Sequence, residues 1–282
     1  SSDLGSLVYP ASQHGLVTLK PSLGLVSRDH IIPITDALDT AGPLTRTVAD
    51  AAQMMSILAG YDSNDPLTEQ ARNLAGTDWA GALQRDALRG VRVALVRFTL
   101  RPGDSEILDR AVEVLKRAGA EVVEAPNPRR IEFGELMEAG FKNALNRYLA
   151  SVGGYTPVRS LAEIIAFNRD DLERRAPYGQ SLLEQANADT TSQEQHAWRS
   201  QELRAEAAAL LERFMGEQRV DLVAALSNYL TTFYAPAGFP AVCVPCSTRA
   251  SGEPVGLTLI GPYLSDARLL SAAFAFECAR DA

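Results

Sequence analysis

The chain has 282 residues, 46% hydrophobic and 22% charged, a balance that excludes disorder as its main state and suits one large domain or two modest ones. A net charge of −8 argues against a nucleic-acid partner, because gripping a phosphate backbone needs concentrated positive charge. No apolar run is long enough to cross a bilayer. The basic residues are lopsided, with 24 Arg against 3 Lys (Lys20, Lys116 and Lys142). Cys243, Cys246 and Cys278 are too few for a secreted disulfide framework, so a cytoplasmic location is expected.

Ser1 to Pro10 is dense in turn formers and reads as the interior of a longer sequence. Gly15 to Lys20 is a short apolar run that predicts a buried strand, followed by a turn over Pro21 to Gly24. Thr47 and Asp50 have the spacing of a capping box. Val48, Ala51, Ala52, Met55 and Leu58 then share one helical face, with Gly60 as the stop. Val91 to Val96 predicts a strand, Ile107 to Leu115 an amphipathic helix closed by Gly119, and Ala120 to Glu124 a second strand. That order and spacing describe a crossover unit in a parallel or mixed sheet.

From Ile131 to Glu217 the pattern is helical, broken near Gly153-Gly154, Pro157 and Pro177. Gln193 to Met215 is expected to be one long helix with a wet face. Three more apolar strands follow at Leu222–Ala225, Ala241–Val244 and Val255–Ile260, and Ser265 is placed to cap a last helix. With sheet segments at both ends and helices between, the expectation is a single α/β domain over residues 1–282 whose middle helices cover the sheet.

Four groups of residues bear on chemistry. In Asp3-Leu4-Gly5-Ser6, a serine follows glycine in a turn just ahead of an apolar stretch. Such a turn can present its hydroxyl while the preceding main-chain N–H groups converge on one space, where an oxyanion could be held. His14, His30 and His196 could be drawn into a Ser–His–Asp reading with Ser6. They are scattered, however, and no Gly-x-Ser-x-Gly elbow accompanies them. Cys243-Val244-Pro245-Cys246 has redox or half-zinc spacing, yet the first thiol lies in an apolar strand and no second pair completes a tetrad. Glu132, Glu135 and Glu138, like Asp170 to Arg175, read as solvated helix faces. No phosphate loop or dinucleotide fingerprint is present.

The continuation of the first group gives it weight. Ser6-Leu7-Val8-Tyr9-Pro10-Ala11-Ser12, Gly15 to Arg28, Ile32-Pro33 and Asp39 to Ala52 resemble the heart of the amidase signature family. Ala237 to Ala241 and Pro254 to Gly261 are similar to that family's closing strands, and Gly24 to Asp29 with Asp39 to Pro43 place the likeness in its peptide-amidase-like branch. The resemblance implies a mixed central β-sheet flanked by α-helices, and hydrolysis of a carboxamide through a serine acyl-enzyme without metal or organic cofactor. It puts the nucleophile on Ser6 and the oxyanion-hole main chain on Asp3, Leu4 and Gly5, with Leu4 standing where the family usually has Gly or Asp.

The family's base is a lysine acting through a second serine, both ahead of the nucleophile, and the five residues before Ser6 hold no counterpart. None of Lys20, Lys116 and Lys142 takes that role by position. The resemblance also leaves Asn228 to Pro236 short, with Tyr229, Phe233 and Tyr234 either lining an apolar acyl site or simply packing. The leading expectation is an amidase acting on a small-molecule amide or a peptide C-terminal amide. The alternatives are a truncated or split non-catalytic remnant, or an amidotransferase A-type subunit. Exposed sheet edges are expected to drive self-association or pairing with a missing N-terminal portion.

Overall fold

A computed structural model describes residues 5–98 and 101–282. By compactness these fall into two units, one built from residues up to 28, 40–131 and 206–282, the other from 29–39 and 132–205.

The first unit holds a mixed seven-stranded sheet: β1 (Val17–Lys20), β2 (Leu44–Thr45), β3 (Arg92–Val96), β4 (Glu121–Ala125), β5 (Leu222–Leu226), β6 (Ala241–Thr248) and β7 (Pro254–Ile260), in the order β2-β1-β6-β7-β5-β3-β4. The expected mixed sheet is therefore present. β3 runs parallel to β4 and β5, and the other pairings are antiparallel. β5 is buried along its whole length and β7 at all but its first residue, which is why both read as unbroken apolar runs rather than as alternation. β2 escapes sequence reasoning because two residues carry no period.

Helices α2 (Val48–Leu58), α3 (Asp104–Arg117) and α10 (Asp266–Arg280) pack on one side of the sheet. Their apolar stripes (Met55, Leu108 and Phe276 among them) join Leu19, Leu95, Val242 and Leu259 in one core. The short helix α1 (Val8–His14) lies against β1, β6 and β7, with Ser12 Oγ accepting the Gly256 N–H at 3.0 Å. α9 (Thr231–Tyr234) is a single turn after β5.

Helix ends show where local rules held. Thr47 Oγ1 accepts the Asp50 N–H at 3.1 Å, as the capping spacing predicts. A second free N–H of that end, Val48, goes to the Glu277 carboxylate at 3.1 and 3.2 Å. Gly60 does not end the helix. Ala59 is the extended cap, and the Gly60 N–H donates to Leu25 O at 3.1 Å. The Ser265 side chain is no cap either: its hydroxyl donates to Pro262 O at 2.7 Å. Asp266, in the first turn of α10, instead accepts the Ser22 N–H and hydroxyl at 2.7 and 2.6 Å.

The second unit contains α4 (Gly134–Ser151), α5 (Leu161–Arg169), α6 (Leu172–Arg175), α7 (Ser181–Ala188) and the first half of α8 (Gln193–Gln218). Of these, α4, α5 and α7 gather around a small apolar cluster of their own: Leu145, Leu149, Leu161, Ile165 and Ala186. The loop 29–39 is tied within this unit by Asp39, which accepts the Ile34 and Thr35 N–H groups, and by an Arg147–Asp36 ion pair. Among the described residues no helix is long and apolar enough to cross a membrane.

Candidate active site

The turn at Gly5–Leu7 feeds directly into α1, its first bond being the Tyr9 N–H donated to Gly5 O at 2.8 Å. Ser6 is exposed, and its hydroxyl has no hydrogen-bond partner among the described residues. Asp3 and Leu4, expected to contribute main-chain donors, lie outside the described residues. Gly5 has φ +126°, a conformation that side chains with a Cβ rarely adopt. There is also no space for one. A Cβ at this position would stand 2.9 Å from Thr231 Oγ1 and 3.1 Å from Asn228 Cβ.

The wall facing Gly5 is thus the loop that leaves β5. Ser227 adopts φ +49°, a strained setting for a residue other than glycine. It is held there by its N–H donating to Gly256 O at 2.8 Å and by Thr258 Oγ1 donating to its carbonyl at 2.7 Å. Asn228 O then accepts the N–H and the hydroxyl of Thr231 at 2.9 and 2.7 Å. Sequence reasoning missed Ser227, Asn228 and Thr231 as neighbours of the serine turn. A signal was available: three polar residues closely follow a fully apolar strand, and carboxyl ends of strands are where open α/β sheets place ligands.

Tyr229, Phe233 and Tyr234 resolve toward packing. Phe233 and Tyr234 are buried. Phe233 stands edge-to-face with Phe214 at 5.4 Å, and the Tyr234 hydroxyl lies 3.3 Å from Thr231 Oγ1. Burial pushes the Tyr234 phenol well above its usual range. Tyr229 is half-buried and donates its hydroxyl to Asp104 Oδ2 at 2.9 Å.

The lysines are otherwise engaged. Lys20 is buried in β1, donates to Pro21 O at 2.8 Å, and is lowered by burial to about 8 despite the opposing charge of Asp266. Lys116 is exposed beside Glu113, and Lys142 donates to Asn187 O and Asp189 O at 2.8 and 3.3 Å. The histidines are dispersed as expected. His14 ends α1, His30 is exposed next to Asp29, and His196 Nε2 lies 3.3 Å from Thr35 Oγ1 and 3.1 Å from Leu136 O.

The C-x-x-C spacing yields no dithiol. Cys243 Sγ occupies the space a Gly256 Cβ would need, beside Ser12 of α1, while Cys246 packs with the core under α10 and donates to Val255 O at 3.3 Å. Both are free thiols pushed up to about 12 by burial, the opposite of a reactive cysteine. Among the described residues no group of three His, Cys, Asp or Glu side chains could hold a metal ion.

The Amidase family's sequence profile matches residues 2–225. A probable amidase of Arabidopsis thaliana is 32% identical across 97% of this chain and 54% of its own length. The A-type polypeptide of a Clostridium acetobutylicum glutamyl-tRNA(Gln) amidotransferase is 29% identical across 97% of this chain and 63% of its own. The crystal structure of native peptide amidase from Stenotrophomonas maltophilia superposes with a TM-score of 0.91 at 33% identity, over all of this chain and 61% of that one. The chain thus spans a little over half the length of the relatives it matches. By its sequence profile and by its fold, it belongs to the amidase signature family.

Proposed function

We propose that Ser6 is the nucleophile of an amide hydrolase and that the main chain at Asp3, Leu4 and Gly5 donates to the oxyanion of its tetrahedral intermediate. The observation that carries this reading is the Gly5–Ser6 turn. An exposed hydroxyl sits at the start of α1, on a glycine whose backbone no other residue could replace without strain. Main-chain donors aimed at the developing charge supply about 3–4 kcal/mol each in favourable cases. The reaction breaks the C–N bond, transfers the acyl group to Ser6 Oγ, releases the amine, and then passes the acyl group to water.

An unassisted hydroxyl is a poor nucleophile near neutral pH and needs a proton acceptor. The family resemblance implies a lysine working through a second serine. Lys20, Lys116 and Lys142 are committed to carbonyls or to Glu113, so the role is assigned to none of them. Residues 1–282 form part of one amidase-signature domain in this reading, and catalysis belongs to the full-length protein. The likeness to peptide amidase supports a carboxamide at the end of a peptide or a small molecule as substrate. The amidotransferase reading draws less support: the A-type polypeptide of the Thermotoga maritima enzyme superposes at a TM-score of 0.66 against 0.91 for peptide amidase.

The test is labelling of the full-length protein with a fluorophosphonate, followed by peptide mapping. The adduct is expected on Ser6, with Ser6→Ala abolishing it and lowering amide turnover by roughly 10³-fold or more. A label on another serine, with Ser6→Ala fully active, would overturn the assignment.

A further inference from the structure

Behind the loop that faces Gly5 lies a buried ionic cluster that takes no part in the chemistry just described. Asp104, in the first turn of α3, is completely buried, and Arg249, just after β6, is 9% exposed. Arg249 Nη2 donates to Asp104 Oδ1 at 2.5 Å and to the Tyr229 hydroxyl at 3.0 Å, while that hydroxyl donates to Asp104 Oδ2 at 2.9 Å. The Arg101 N–H adds a further bond to the carboxylate at 3.0 Å. Glu253 lies 3.5 Å from Arg249 Nη1. Burying a carboxylate and a guanidinium costs several kcal/mol per ion unless their bonds are well made. A hydrophobic cluster would hold α3 and the β6–β7 hairpin together without that cost, so the cluster's distinctive effect is to fix one hydroxyl, that of Tyr229.

Tyr229 adjoins Asn228, and Asn228 with Thr231 forms the wall that Gly5 touches. The loop is pinned at its start by the Ser227 bonds to Gly256 and Thr258 and at its middle by the Tyr229 hydroxyl. Release of the middle pin lets Asn228 and Thr231 shift against the serine turn. We infer that Asp104, Tyr229 and Arg249 are positioning residues for Ser6, holding the loop after β5 so that the Gly5–Ser6 turn keeps its aim. The inference rests on Ser6 being the nucleophile.

Tyr229→Phe is the cleanest probe, since it keeps the ring and removes only the pin. The measurement is the fluorophosphonate reaction of the full-length protein, separated into a maximal inactivation rate and a half-saturating concentration, with thermal unfolding recorded in parallel. An ångström-scale misplacement of reacting groups can cost up to about 10²-fold, so a partial release predicts a maximal rate about tenfold lower at unchanged half-saturation. A merely structural role would reduce the fraction of protein that reacts and leave its rate constant alone. Because Tyr229 acts through Asn228, the pair Tyr229→Phe with Asn228→Ala is expected to react no slower than Asn228→Ala alone. An unaltered rate constant in Tyr229→Phe, or losses that simply add in the double variant, would overturn the inference while leaving Ser6 in place. Failure of the unaltered protein to label at Ser6 would overturn both.

Discussion

The sheet-bearing unit and the helical unit differ most in what they bury. In the first, β5 is buried throughout and β7 at all but its first residue, and three buried carboxylates have partners distant in sequence: Asp266 with Ser22, Asp104 with Tyr229 and Arg249, Glu277 with the start of α2. In the second, the apolar cluster around Leu145, Leu149, Leu161, Ile165 and Ala186 is smaller, while Tyr155 is 96% exposed, Tyr178 fully exposed and Trp198 59% exposed. The difference is one of cooperativity. A side chain in the sheet unit is fixed by neighbours that are themselves fixed, which is what holding a nucleophile in one orientation requires. The helical unit, with its smaller apolar cluster, offers less resistance to local opening.

Four substitutions break or sharpen that contrast, from the largest effect to the smallest. Leu95→Ala, in the fully buried end of β3, is expected to cost about 3 kcal/mol of global stability, visible as a lower denaturation midpoint for the whole sheet unit. Gly5→Ala forces a Cβ into Asn228 and Thr231 at a φ that disfavours it. It is expected to cost about 1–3 kcal/mol of strain and to slow fluorophosphonate labelling at least tenfold. Leu161→Ala removes a buried side chain from the helical unit. Hydrogen exchange should then rise across α4, α5 and α7 while amides of β3, β5 and β7 keep their protection. Equal loss of protection in both units would show that they unfold as one and erase the contrast.

The smallest effect concerns Lys20. Its folded-state value is lowered by burial to about 8 from 10.5, so between these limits the unfolded chain binds more protons than the folded one. Its contribution therefore makes stability rise with pH over that window. Cys243 and Cys246, raised to about 12 from 9, act in the opposite sense above pH 9, because there the folded chain keeps the protons. The stability difference between the unaltered protein and Lys20→Met isolates the lysine. It should grow in favour of the unaltered protein from pH 8 to 10, and a flat difference would show that Lys20 titrates normally.

Much of this architecture is legible in the residues. Apolar runs mark β1, β3, β5, β6 and β7, and Thr47 announces the start of α2. What failed failed for physical reasons. Ser265 has the right residue type for a cap, but its hydroxyl turns to Pro262, and Asp266 is drawn away to Ser22, 244 positions distant in sequence. The C-x-x-C pair falls on a strand and its bulge, which sends the two thiols into different surroundings. Ser6 and Gly5 could be singled out from the sequence because the family motif is local. Asn228 and Thr231 carried a local signal, polar residues after an apolar strand, but their pairing with Gly5 left none, since it depends on the turn ahead of α1 meeting the end of β5. The buried Asp104–Arg249 pair spans 145 residues and leaves no periodic trace.

The most direct test is to catch the covalent intermediate. The full-length protein would be mixed with an amide or ester substrate, quenched in acid within the turnover time, and mapped by mass spectrometry. The account predicts an acyl mass on the peptide carrying Ser6, absent from Ser6→Ala. Acylation of a different residue, or turnover by Ser6→Ala at the unaltered rate, would contradict it.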